Sequence, residues 1–325
     1  MINSLYIEGF KSFEKEDLDI RPLTVLTGLN SSGKSSVIHA LRMLDKAARG
    51  ESNVLLKGYG SWQDLRSAYA KEVLLRETYG DGGGVAVSER AIMEGENKKE
   101  NPPAIIYVSA GRLGPQLTLP MTYESELDSN GANVVEIIEA YANKTMDECM
   151  RRKNSMGESF EYVLKDWLNL ICPGVKFEEK IQNSVQFMTF DGHSPLNVGF
   201  GLSYTLTVIV ALLVASITKA TVLIENPEAH LHPKGQVDIS ELVAKTVKAG
   251  AQVIVETHSD HFFDGLRVYV KNHPLMADNI IAYWMSLDER RLSKIEKIHI
   301  LSNGRVDNWP HGMFDQFEIN AEQLL

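Results

Sequence analysis

The chain has 325 residues, 44% of them hydrophobic, enough apolar material for one large domain or two smaller ones. A formal net charge of −10 and a pI near 5.4 exclude a generally basic, DNA-coating surface, so any nucleic-acid contact would have to be local. Two cysteines, Cys149 and Cys172, exclude a disulfide framework, and neither has a Cys/His metal spacing; a reducing, cytoplasmic compartment fits best.

The N-terminal MINSLYIEGFKSFEK lacks the apolar core of a signal peptide and reads as a strand and a turn. SLYIEGF alternates and LTVLTG is apolar and β-branched, predicting two strands. A Gly/Ser loop follows, and then SVIHALRMLDKAA sets Val37, Ile38, Leu41 and Leu44 at helical spacing. YGDGGGVAVSE predicts a hairpin and GENKKENPP a polar loop at the rim of the fold. NVVEIIEAYANKTMDECM and SFEYVLKDWLNLI carry helical periodicity up to the stop ICPG, predicting an all-helical insert. Strands then return in VKFEEKI and VQFMTF. A helix over 206–217, the strand TVLIE, a helix in QVDISELVAKTVKAG, the strand QVIVETHS and a final strand NIIAYWMSL complete the order.

The apolar run 206–224 is long enough to span a bilayer, but Lys219 and its threonines split it into a buried helix and a buried strand, so no membrane span is predicted. The basic groups Arg151, Arg152, Lys153 and Arg290, Arg291, Lys294, Lys297 are interleaved with acids and read as solvated helix faces, weak candidates for DNA contact. Strands alternating with helices imply an α/β fold with a largely parallel sheet whose functional loops lie at the strands' C-terminal ends.

GLNSSGKSS satisfies G-x-x-x-x-G-K-[ST] between a predicted strand and a predicted helix, the context of a P-loop. Gly28, Asn30, Ser31, Ser32, Gly33 and Ser36 would wrap the phosphates with backbone N–H groups at a helix start. Lys34 would reach the β and γ phosphates of ATP, and the Ser35 hydroxyl would ligate Mg²⁺. TVLIE delivers Glu225 to a strand end as a second magnesium ligand, and VIVETHSDH delivers His258 as a γ-phosphate sensor. The bland alternatives are a capping acid and a satisfied core histidine.

Together these residues resemble the ABC-type ATPase heads of RecF, SMC and OLD-family proteins. FKSFEKEDLDIRPLTVLTGLNSSGKSS is similar to their N-terminal strand and Walker A loop, and LIENPEAHLHP with VIVETHSDH to their Walker B, D-loop and switch histidine. ENPEAHLHP, ETHSDH and WPHGMFDQ further resemble small AAA-type ATPases with a C-terminal domain of unknown function, Met313 standing where one phenylalanine recurs. The resemblance implies a P-loop NTPase built as an ABC-like head with a mixed or parallel sheet: residues 1–130 as an N-terminal lobe, 131–175 as the helical insert and 176–325 as a C-terminal lobe of one composite domain. It also places Gly199, Gly201 and Ser203 of NVGFGLSYTL at the signature loop, which contacts nucleotide on an opposite subunit. The usual serine-glycine-glycine string is absent, and an N-capped core helix is the other reading.

In most ABC heads the residue after the magnesium acid is a glutamate that deprotonates the attacking water. Here it is Asn226, which can orient water but not take its proton, and Glu228, three residues past Glu225, could serve as the base. The expected function is a slow Mg·ATP hydrolase that dimerises around nucleotide and switches a partner protein or a DNA-bound state, in anti-phage defence or genome maintenance. The alternative is a nucleotide-sensing scaffold with negligible hydrolysis that recruits a nuclease or toxin encoded nearby. A transporter ATPase is disfavoured by the missing signature string and by FKSF. His230 and His232 lack a third ligand for zinc, and no paired-Asp nuclease motif follows His258.

Overall fold

Residues 1–94, 102–153 and 155–324 are described by a computed structural model. The chain divides into two compact units, residues 1–103 with 274–325, and residues 104–273. The polar loop predicted for GENKKENPP lies, up to Asn101, outside the described residues.

In the first unit every residue of the strand Leu23–Gly28 is buried, as an apolar, β-branched sequence covered on both faces requires. It pairs in parallel with Ile280–Leu287, with Leu23 opposite Ile280 and Gly28 opposite Met285. NIIAYWMSL is not the last strand: Ile280–Leu287 turns back antiparallel into Ser293–Ile298. Asp288 builds that turn by accepting the Arg290 and Leu292 amides, and Arg291 takes the left-handed φ of 62°. Arg290 and Arg291 therefore sit in a hairpin and Lys294 and Lys297 on a strand, which corrects the helix-face reading. DERR carries no glycine or proline to announce the turn.

A five-stranded antiparallel sheet runs in the order Lys15–Asp19, Ile2–Glu8, Leu74–Tyr79, Gly84–Ser88, Ile92–Glu94. The helix Lys34–Ala48 packs on its middle through Val37, Ile38, Leu41 and Leu44, each fully buried and contributing about 1.5–3 kcal/mol. WPHGMFDQ closes this unit's C-terminal part: Met313 is fully buried and the Phe314 ring stands 6.4 Å from Trp284.

In the second unit Ile105–Val108, Thr221–Glu225 and Gln252–Glu256 form a parallel sheet, with Glu225 opposite Glu256. The helices Phe200–Thr218, Pro233–Lys248 and Asp260–Asn272 belong to this unit. Phe200–Thr218 is, among the described residues, the one helix long and apolar enough to cross a membrane, and most of it is buried within its own unit. It stops at Lys219, whose φ of 59° ends the helix while Nζ donates to the Ser216 and Ala249 carbonyls.

The segment read as all-helical holds two helices, Val134–Tyr141 and Phe160–Ile171, with the single turn Glu148–Met150 between them. The first helix ends at Tyr141 although helical periodicity continues, and Asp147 starts the separate turn by accepting the Cys149 amide. Arg151 then leaves the helical region, donating to the Met146 carbonyl and pairing with Glu158, so Arg151, Arg152 and Lys153 do not lie on a helix face. A three-stranded antiparallel sheet, Leu119–Pro120, Val185–Phe190 and Phe177–Gln182, completes the unit.

Candidate functional site

In the first unit the strand Leu23–Gly28 runs into the loop through Gly28, at φ 143°, where a Cβ would lie 2.0 Å from the Met285 carbonyl oxygen. Gly33, at φ 106°, immediately precedes the helix Lys34–Ala48, and a Cβ there would meet Ser293 Oγ at 2.5 Å. Both glycines are thus required by conformation and by space. Leu29, Asn30 and Ser31 form the exposed rim, whereas Ser32, Gly33, Lys34 and Ser36 are buried. Lys34 is 3% exposed, and its ammonium folds back to donate to the Leu29 carbonyl at 2.6 Å and the Gly28 carbonyl at 3.1 Å. A positive group resting on backbone carbonyls beside a helix start, where the dipole also favours negative charge, is suited to an anion.

Beside the loop, Lys11 of FKSF puts Nζ 2.6 Å from Nδ1 of His39 and stacks its charge over the Tyr59 ring. Burial, then Lys11, then Arg42 push the His39 pKa down to about 3, so the imidazole is neutral and Nδ1 accepts from Lys11. Sequence reasoning overlooked this pair, since neither residue falls inside the P-loop pattern.

In the second unit Glu225 ends its strand buried, and one carboxylate oxygen accepts from the Ala110 amide at 3.0 Å and the Tyr107 hydroxyl at 3.2 Å. Asn226 follows in a left-handed turn, φ 48°, its amide donating to the Glu256 carbonyl. Glu228 is 8% exposed; Oε1 accepts the His258 amide at 2.9 Å, and the Thr257 hydroxyl adds a second donor. Burial raises its carboxyl above the ordinary range, against the lowering effect of those donors and of Arg112. Glu228 Oε2 and Asn226 Oδ1 are both buried with no hydrogen-bond partner. Glu225, Asn226, Glu228 and His258 therefore gather at the C-terminal edge of two adjacent parallel strands, where open α/β sheets bind ligands. The His258 side chain is exposed, and its backbone is what touches Glu228.

Arg112, also overlooked, holds this turn together. It is 3% exposed, and its guanidinium donates to the carbonyls of Ser109, Glu225 and Asn226, each at 2.8 Å. Burial pushes its pKa down to about 10, still far above neutrality. The signal was RLGP three residues beyond the strand IIYV, an arginine at the functional edge of the sheet.

The signature-like segment starts its helix at Phe200, 59% exposed, with Gly199 as an N-cap that offers no side chain. Gly201 is tight against the D-loop, since a Cβ would lie 2.7 Å from the His230 carbonyl oxygen. Ser203 points its hydroxyl inward, buried and without a partner, so it is not displayed at the helix start. Tyr204 packs tilted against the His230 ring, centroids 4.6 Å apart, and lies under the Arg112 guanidinium. His232 caps the helix Pro233–Lys248 through Nδ1, accepting the Lys234 amide.

Family models match three stretches of the chain. Residues 1–107 match the AAA ATPase domain, and 191–264 match an AAA domain whose description names the AbiEii toxin and type IV TA systems. Two separate stretches of the chain thus match AAA ATPase domains. Residues 275–324 match a protein family of unknown function, DUF3696. The fold of the chain is similar to that of an SMC head bound to the C-winged helix domain of ScpA, with a TM-score of 0.50 at 15% identity, covering 92% of this chain and 98% of that one. Weaker likenesses are to the SMC head domain from Thermotoga maritima (TM-score 0.46, 14% identity, 91% and 98% covered) and to the recombination mediator protein RecF, as RecF-ATPrS (0.46, 11%, 91% and 98%). No curated protein matches the sequence. The fold is thus α/β, that of a P-loop, ABC-like ATPase head.

Proposed function

We propose that this chain binds Mg·ATP and hydrolyses it slowly, with Glu228 as the base. The observation that carries the reading is the pair of buried, partnerless oxygens, Glu228 Oε2 and Asn226 Oδ1, beside the strand end that presents Glu225. One Glu228 oxygen is pinned by the His258 amide while the other is left to accept a proton, and its raised pKa makes it a better base near neutrality than an ordinary carboxylate. Asn226 orients water without taking its proton. Lys34 and the loop amides bind the phosphates.

The Ser35 hydroxyl and the Glu225 carboxylate are oxygen donors of the kind that would hold a hard cation such as Mg²⁺. When bound, Mg²⁺ neutralises charge on the phosphate oxygens.

Gly199 and the exposed Phe200 at a helix start support an ATP-dependent homodimer in which this helix meets the nucleotide of a second copy. The dimer would switch a cytoplasmic partner, an effector or a nuclease encoded nearby, with DNA as a local contact. The match to a toxin-named AAA domain supports a role in anti-phage defence.

Asn226 itself favours a second reading, a nucleotide sensor with negligible hydrolysis, because the residue after the strand-end acid cannot act as a base. Steady-state phosphate release by wild type, Glu228→Gln and Asn226→Glu separates the two. A hydrolase loses at least tenfold with Glu228→Gln, within the roughly 10²–10⁴ worth of a positioned base. In a sensor, wild type and Glu228→Gln are equally slow and only Asn226→Glu gains turnover. A normal wild-type rate that survives Glu228→Gln defeats both.

A further inference from the structure

The segment 275–324, matched only to a family of unknown function, supplies the strand Ile280–Leu287, which pairs with the strand leading into the P-loop, and the hairpin strand Ser293–Ile298 beyond it. Two peptide planes of the loop are fixed by this segment. The Leu29 amide donates to the Met285 carbonyl at 3.0 Å, so the Gly28 carbonyl of the same peptide points the other way, and it is there that Lys34 Nζ finds it. At the other end of the loop Ser293 Oγ donates to the Ser32 carbonyl at 2.8 Å.

A serine hydroxyl has one proton, so with that proton on Ser32 the 2.7 Å contact between Ser12 and Ser293 runs from Ser12 Oγ–H to Ser293 Oγ. Ser12 is anchored in turn, because the Ser293 amide donates to its carbonyl at 2.8 Å. The Ser32–Gly33 peptide is trans, so a Ser32 carbonyl turned toward Ser293 sends the Gly33 N–H away from that strand. A Cβ at Gly33 would lie 2.5 Å from Ser293 Oγ and 3.0 Å from the Phe13 ring, so the backbone passes close to both at this point.

We infer that the C-terminal segment is part of the nucleotide site, and that Ser293, steadied by Ser12, is a positioning residue that aims the Gly33 amide at a bound phosphate. The inference rests on the P-loop reading above. Orienting a donor for phosphate alters binding more than chemistry, so the effect belongs in Kd and KM.

The test is titration of the full chain with Mg·ATP, together with steady-state turnover, for wild type, Ser293→Ala, Ser293→Thr, Ser12→Ala and Lys34→Ala. Ser293→Ala weakens ATP binding about three- to tenfold, the worth of one hydrogen bond, and raises KM with kcat within about twofold. Ser293→Thr, which keeps the hydroxyl, restores affinity to within about twofold, a rescue that a purely structural defect would not show. Ser12→Ala keeps the bond to Ser32 and loses its support, weakening binding about twofold, and it serves if Ser293→Ala does not fold. Wild-type affinity in both alanine variants, a Thr variant as weak as Ala, or a fall in kcat alone overturns the inference. Lys34→Ala keeps the two readings apart. If it binds ATP normally, the P-loop reading itself fails; if it loses ATP while both serine variants bind as wild type, only the role of the C-terminal segment fails.

Discussion

Replacing Arg112 with alanine removes three hydrogen bonds, each 2.8 Å long, from a guanidinium that is almost wholly buried. Bonds from a charged donor contribute about 1.5–3 kcal/mol each, so the gross loss is about 5–9 kcal/mol. Burying the charge costs part of that: the shift from 12.5 to about 10 corresponds to about 3 kcal/mol. The net destabilisation is then about 2–6 kcal/mol. The carbonyls released are those of Ser109, Glu225 and Asn226, two of them in the turn that carries the candidate base, so turnover should fall at least tenfold as well. Arg112→Lys keeps the charge but can reach one carbonyl rather than a fork of three, and should fall between wild type and alanine. Urea unfolding gives the stability change and phosphate release gives the turnover. A loss below about 1 kcal/mol with unchanged turnover would show that the guanidinium does not hold the turn.

Three further outcomes follow from single groups. Glu77 is buried against Tyr79, and burial pushes its pKa up to about 7 from the ordinary 4.5, so the folded state binds its proton more tightly than the unfolded state. Its contribution is full below pH 4.5 and is lost as pH rises through 7; the stability difference between Glu77→Gln and wild type should therefore grow by about 3 kcal/mol from pH 4 to pH 8 in urea melts. Gly28→Ala would force a Cβ to within 2.0 Å of the Met285 oxygen at φ 143°, so it should abolish nucleotide-dependent stabilisation in a thermal melt, and an unaltered ATP response would refute the packing argument. If Glu228 is the base, the acid limb of the rate profile should lie above the ordinary carboxylate range, because the group works only when ionised and burial raises its pKa. That limb should disappear in Glu228→Gln.

Much of this was legible in the sequence because strand, glycine loop and helix each carry a local signal: LTVLTG is apolar throughout, Gly28 and Gly33 are where the backbone admits no Cβ, and TVLIE ends in its acid. What escaped was settled by distant contacts. Arg112 matters because it reaches carbonyls more than a hundred positions along the chain, and Ser12 because it meets Ser293. Ser293–Ile298 was overlooked because SKIEKI alternates only weakly and its turn has no glycine. Ser203, placed by resemblance at a nucleotide-facing helix start, is turned inward by the helix period, and pattern matching without the helix phase does not show that.

The central claim is that the loop from Gly28 to Ser36 holds ATP. Its most direct test is a calorimetric titration of Mg·ATP into wild type and Lys34→Ala, with the unfolding midpoint of each measured without nucleotide to establish that both are folded. The account predicts saturable binding to wild type and none to a folded Lys34→Ala. Equal affinity in the two proteins, or no binding to either, would contradict it.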